Sequence, residues 1–174
     1  MTNLEEMLCL KRGIAVAIAA LLACFLATGI VATAQDKTRD QGSIAQDAIF
    51  ARKSLMNAVM DHMDQIGEMI SSQQIEVREA NRHADTIEVM FMAFPHLFPP
   101  ASNQWKEDVD LDPVSGTIAS PDIWTDFADF YRRSAVAANT AHELSRADSE
   151  DEVKRLYRAL GVACDTCHAI YMKE

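Results

Sequence analysis

Cysteine is scarce in this chain, with four among 174 residues, at positions 9, 24, 164 and 167. Cys9 and Cys24 fall in the first 34 residues, so the remainder holds only Cys164 and Cys167 and lacks a second cysteine pair for a zinc site. Positive charge is also short. Sixteen Lys and Arg stand against 26 Asp and Glu, a formal net charge of −10. No basic patch interrupts that balance, which excludes a nucleic-acid-binding surface. No segment has the alternation of a half-buried strand, and no internal repeat is present. There is no Ser/His/Asp arrangement, paired-carboxylate site or phosphate loop, so no enzyme activity is expected.

The first 34 residues instead have apolar length. Lys11 and Arg12 precede an apolar run from Gly13 to Ala34, which closes on Ala32-Thr33-Ala34. A positive stretch, an apolar stretch and an A-x-A site are the parts of a secretory signal, cleaved before Gln35. The run is also long enough for an uncleaved inner-membrane anchor, since roughly 20 apolar residues span a bilayer. Apolar residues follow Cys24, unlike the polar start of a mature lipoprotein. Either way residues 35–174 form one exported, periplasmic domain, which meets the membrane only if the leader stays attached. Lys11 and Arg12 cancel Glu5 and Glu6, so the domain keeps the full charge of −10. In an oxidising compartment its two thiols need a chemical fate.

Four helices are predicted. Ile49, Arg52, Met56, Val59, Met63, Ile66 and Ile70 recur at three- and four-residue steps, a seam on a helix over 43–72. Arg52 is the polar member of that seam. Gly67 lies within this helix at a cost of about 1 kcal/mol against alanine if exposed. Ile75, Ala80, His83, Ala84, Ile87, Met90, Phe91 and Phe94 mark the inner face of a second helix, over 74–94. Pro95, Pro99 and Pro100 stop it. Residues 95–120 lack a period and make a long connection between helices 2 and 3, beyond the usual length of about 2–8 residues. Ser120 as N-cap and Pro121 at the first position start a third helix. Its stripe runs through Ile123, Phe127, Phe130, Tyr131, Ser134, Ala138, Ala141 and Leu144 to about Ala147. Ser149 followed by Glu152 has the pattern of a capping box for a fourth helix, which ends near Met172. The fold class is therefore all-α, an antiparallel four-helix bundle.

Cys164, Cys167 and His168 sit at i, i+3 and i+4 near the end of the fourth helix, on one face. A zinc site needs about four ligands, and His62, His83, His96 and His142 are scattered. A redox dithiol belongs at a helix start after a strand, where the dipole lowers a thiol pKa. C-x-x-C-H is the attachment signature of c-type haem. Two thiols on one helix face can form thioethers with one porphyrin edge, and the adjacent imidazole can meet the iron as a neutral ligand.

Four stretches carry a resemblance: CDTCHAIY at the C-terminal end, SPDIWTDFADF opening the third helix, FPHLFPP after the second, and RKSLM at Arg52 to Met56. Together they resemble the cytochrome c-prime family, the class II c-type cytochromes, over about Ile44 to Lys173. The resemblance implies a left-handed four-helix bundle, often a homodimer, with one haem c between its helices. It implies haem attachment at Cys164 and Cys167, proximal iron ligation by His168, and Arg52 near a haem propionate, unless Arg52 snorkels to solvent. Met56 matches the position facing the distal side of the iron. It is a candidate sixth ligand in a low-spin electron carrier, or a packing residue. The implied function is single-electron transfer with redox partner proteins. The alternative is a five-coordinate haem that binds nitric oxide or another small gas. Where the family often has a basic residue four after the haem histidine, this chain has Met172, followed by Lys173.

Overall fold

The computed structural model describes residues 42–107, 112 and 116–173. The predicted leader and its cleavage point lie outside the described residues. Helix α1 covers residues 42–71 and α2 Val77–Ala93. Two short 3-10 turns follow, at Phe94–Leu97 and Pro100–Ser102. A short α3, Asp122–Thr125, leads into α4, Phe127–Leu144, and α5 is Glu150–Tyr171. Among the described residues there is no strand, and the long elements α1, α2, α4 and α5 form a four-helix bundle.

The periodic seams read on the first, second and fourth predicted helices line the core. On α1, Ile49 and Ile66 are fully buried and Val59 nearly so. Val59 and Ile66 meet Ala80, Ala84, Ile87 and Phe91 of α2, Ala137, Ala138, Ala141 and Leu144 of α4, and Val153, Leu156 and Leu160 of α5 in one cluster. The small alanines of α2 and α4 let those two helices approach closely, while the larger side chains of α1 and α5 fill the space between. A second cluster lies near the end of α5, where Phe98, Phe130 and Tyr171 pack edge to face and Ile123 joins them.

The turn between α1 and α2 is a Schellman motif. Gln74 N–H donates to Met69 O, and Gln73 N–H to Ile70 O. Gln73 occupies the left-handed position, at φ 59°, where glycine is the usual residue. Gly67 is not the exposed blemish expected from the sequence. It is half-buried, and a Cβ there would stand 2.7 Å from the Tyr157 hydroxyl oxygen. Its missing side chain lets α5 lie against α1.

The third predicted helix is divided in two. Asp126 leaves helical geometry at φ −131° and ψ 60°, and its carboxylate accepts from the Asp129 N–H, so it caps α4 anew. The break resets the helical phase. Phe127 and Tyr131, expected inside, are 41 % and 49 % exposed, while Ala137 is buried. Ser120 does help the start: its hydroxyl accepts from Asp122 N–H at 3.2 Å. The expected capping box at Ser149 is only half present. Ser149 makes no side-chain cap bond, and the Glu152 carboxylate accepts instead from the Asp148 N–H. Three acidic residues in the first turn of α5, Glu150, Asp151 and Glu152, complement the helix dipole.

Candidate functional site

The motif lies in the last two turns of α5, where the helix passes from one core cluster to the other. Cys164 packs on the first cluster, beside Ala163, and Cys167 on the second, which holds Phe98, Ile123, Phe130 and Tyr171. Both thiols are half-buried, while His168 is exposed. Burial pushes the Cys164 thiol up to about 11, helped by the charges of Asp165 and Cys167. Burial raises the Cys167 thiol as well. A redox dithiol needs the opposite shift, toward thiolate near neutrality. Among the described residues no three His, Cys, Asp or Glu side chains are grouped to hold a metal ion, as a zinc centre would require.

Met56 lies one turn beyond Arg52 on the same face of α1. It is half-buried and packs on the cluster that also receives Cys164. Met63, Met69 and Met90 pack on that cluster too.

Arg52 is 4 % exposed. It does not snorkel to solvent. Its guanidinium donates to Ser102 Oγ at 3.0 Å, to Ser102 O at 3.3 Å and to Thr117 Oγ1 at 2.5 Å. It lies 4.9 Å from the ring centre of Phe98 and 5.8 Å from that of Trp124. Burial lowers its pKa from 12.5 to about 10, so it remains charged at neutral pH. Among the described residues no carboxylate lies within ion-pair distance. A buried cation that meets only neutral acceptors among the described residues fits a group that brings its own anion.

Sequence reasoning did not assign Ser102, Thr117, Phe98 and Trp124, which surround Arg52. Phe98 and Trp124 do fall in the stretches FPHLFPP and SPDIWTDFADF that carry the resemblance. Ser102 and Thr117 offered no local signal. Each joins Arg52 across more than 45 residues, through the long connection.

Asp129 on α4 gathers a second polar group. Its carboxylate accepts from Arg133 Nε at 2.6 Å and from the Tyr171 hydroxyl at 2.7 Å, and it pairs with Arg132. These bonds, Arg133 first, hold Asp129 below the usual carboxylate range. Positive charge acting on Cys167 thus comes from Arg133 on α4. Lys173, one past the departure at Met172, reaches toward Asp122 at 3.6 Å. Ser120 N–H donates to Tyr171 O, and Lys173 N–H to Ile118 O, so the connection is fastened to the end of α5.

The other histidines are engaged elsewhere. His142 Nδ1 lies 2.9 Å from Glu88 Oε2, and His62 and His83 face each other. His96 is exposed, its ring edge-on to Tyr131.

The family model described as Cytochrome C' matches residues 47–172. A relative, cytochrome c-556 of Agrobacterium tumefaciens (strain II Chrys), is 28 % identical over 123 residues, covering 69 % of this chain and 92 % of its own length. Cytochrome c' of Thermochromatium tepidum has the same fold, with a TM-score of 0.66 at 16 % identity over 75 % of this chain and 97 % of its own. A nitric oxide complex of a mutant cytochrome c prime from Alcaligenes xylosoxidans aligns with a TM-score of 0.62 at 17 % identity, over 75 % of this chain and 97 % of its own. With the family motif on α5 and a matching model across both core clusters, this chain belongs to the cytochrome c' family, whose cofactor is covalently attached haem c with its iron.

Proposed function

We propose that this protein is a periplasmic monohaem cytochrome that carries single electrons between redox partner proteins. Cys164 and Cys167 hold the porphyrin edge through two thioethers, and His168 is the proximal iron ligand. Arg52 binds a propionate. Haem c, when attached, supplies a one-electron ferric/ferrous couple. The observation that carries this reading is Arg52, a buried guanidinium with three neutral acceptors and no carboxylate among the described residues. Its hydroxyl partners fix the direction of the cation, and Phe98 and Trp124 keep water from it.

Met56 is the proposed sixth ligand. Its support is position: one turn from Arg52, half-buried, and on the same cluster as Cys164. His/Met ligation raises the reduction potential and suits electron transfer. A second reading has its own support, since the nitric oxide complex among the similar structures makes an open sixth position with gas binding a defined alternative. Exposed Phe50 and Met60 on α1 and Val89 and Met92 on α2 offer apolar surface for a homodimer.

Optical spectra of the matured protein separate the two readings. A low-spin spectrum with a methionine–iron band that disappears in Met56→Ala is the expected result. A high-spin spectrum that shifts with added nitric oxide and is indifferent to Met56→Ala would establish the gas-binding reading instead.

A further inference from the structure

Asp129 joins α4 to the end of α5 through one oxygen. Its Oδ2 accepts from Arg133 Nε at 2.6 Å and from the Tyr171 hydroxyl at 2.7 Å, while Oδ1 pairs with Arg132. Tyr171 is 6 % exposed and packs on Phe130, in the cluster that also receives Cys167. The carboxylate is therefore anchored from the motif-bearing end of α5, and it anchors the Arg133 guanidinium in turn. Arg133 and Asp129 line one groove with Ala163 and Thr166, the residues that precede Cys164 and Cys167. The Arg133 side chain is 34 % exposed and that of Asp129 15 %, against 70 % for Arg132. Burial raises the Cys167 thiol pKa; the Arg133 charge opposes that rise and the Asp129 charge reinforces it. Both side chains are thus within electrostatic reach of the thiol. Lys173, the one cation that follows the motif in the chain, is turned to Asp122 instead. Asp165 acts on Cys164 and Asp126 on Tyr171, so the other charges close to the motif are acidic.

We propose that Arg133 is the fixed positive charge that raises the reduction potential of the haem attached at Cys164 and Cys167, with Asp129 and Tyr171 as its positioning residues. The inference rests on that attachment. Ferric haem carries one more positive charge than ferrous haem, so a nearby cation disfavours the ferric state. A guanidinium keeps its charge over the whole working pH range. Two guanidiniums against one carboxylate leave this group net positive, and Asp129 shares its charge between them. Arg132 stands in solvent, where salt screens a charge over a Debye length of about 8 Å. Arg133 is mostly covered, and a charge-assisted hydrogen bond fixes its place, so its field reaches the motif with less screening. Tyr171 contributes by holding the carboxylate from the α5 side, which keeps Arg133 over the groove beside Ala163 and Thr166.

The test is redox titration of the matured, full-length protein against dyes of known potential. Arg133→Gln is expected to shift the equilibrium toward ferric haem by about three- to tenfold, the size for charges about 10 Å apart in a partly screened setting. Arg133→Met keeps the stem, removes the same charge and serves where glutamine impairs folding. Arg133→Lys keeps the charge and recovers about half of the shift or more. Arg132→Gln moves the equilibrium by less than about twofold. Tyr171→Phe loosens the carboxylate and makes the potential more sensitive to salt. The optical signature of axial ligation stays that of the wild type throughout. A potential within about twofold of wild type in the neutral Arg133 variants, an equal shift in Arg132→Gln, or no recovery in Arg133→Lys overturns the assignment. So does a shift that comes with altered axial ligation. Unchanged salt dependence in Tyr171→Phe removes its positioning role. Intact mass reads the attachment separately. Protein that matures without covalent haem sinks the attachment and this inference together, whereas haem-bearing protein with an unmoved potential sinks the role of Arg133 alone.

Discussion

Replacing Arg52 with methionine, in protein that carries its haem, weighs the buried cation directly. Methionine keeps the unbranched stem and removes the charge. Two outcomes are separated by size. If Arg52 has only the acceptors seen here, the substitution loses three hydrogen bonds from one charged donor, at the low end about 1.5 kcal/mol each, or about 4.5 kcal/mol together, because one side chain makes all three and two of them go to the same residue. Against that, burial has lowered the guanidinium from 12.5 to about 10, which costs on the order of 3 kcal/mol to keep it charged at pH 7. The base is destabilising while charged and the hydrogen bonds stabilising, so they largely offset. The net loss is then about 1–2 kcal/mol. If Arg52 instead faces a propionate, the substitution strands a buried carboxylate and the loss rises to about 3–5 kcal/mol. Urea unfolding of wild type and Arg52→Met, with equal m-values, measures the difference. A loss of 3–5 kcal/mol, or roughly 10 °C in Tm for a domain of this size, is expected. A loss below about 2 kcal/mol refutes the anionic partner. Thr117→Val, which removes one neutral acceptor, costs about 1 kcal/mol on either view and serves as the scale.

Three further substitutions probe the scaffold. Gln73→Gly relieves a left-handed φ and is expected to stabilise the fold by about 0.5–1 kcal/mol in urea melts, with no gain counting against the strain. Gly67→Ala, which helix propensity alone would favour by about 1 kcal/mol, is expected to be neutral or destabilising because of the Tyr157 hydroxyl; a clear rise in Tm contradicts that packing. Asp129 is held below 3.8, Arg133 first and Tyr171 second. A carboxylate with a depressed native pKa contributes stability above its unfolded pKa and loses it as pH falls through the native one. Wild-type stability should therefore decline below about pH 4, and Asp129→Asn should flatten that decline. An acid limb identical in the two proteins rejects the assignment.

Much of the bundle was legible because burial in a helix writes itself into the sequence at three- and four-residue steps. Ile49, Val59 and Ile66 declared the inner face of α1, and Ala80, Ala84, Ile87 and Phe91 that of α2. Cys164, Cys167 and His168 could be proposed from sequence because C-x-x-C-H is a pattern of spacing within about one turn. The break at Asp126 was harder, since an aspartate inside an apolar stripe reads equally as a solvated residue or as a new cap. The phase of Phe127 and Tyr131 failed with it. What surrounds Arg52 was illegible for a different reason. Ser102 and Thr117 are common hydroxyls, given meaning only when the connection returns them to α1. The contact between His62 and His83 likewise depends on how α1 and α2 align.

Arg52 also divides the connection unequally. By gripping Ser102 at one point and Thr117 at another, it turns the stretch between them into a loop closed at both ends by the same side chain. Closure entropy grows slowly, about 0.6 kcal/mol for each doubling of loop length. An exchange or insertion at the exposed Lys106 or Glu107, between the two anchors, therefore costs little and leaves both hydroxyls in place. A reporter peptide or affinity tag has its natural insertion point beside the exposed Lys106 and Glu107, provided Ser102 and Thr117 remain.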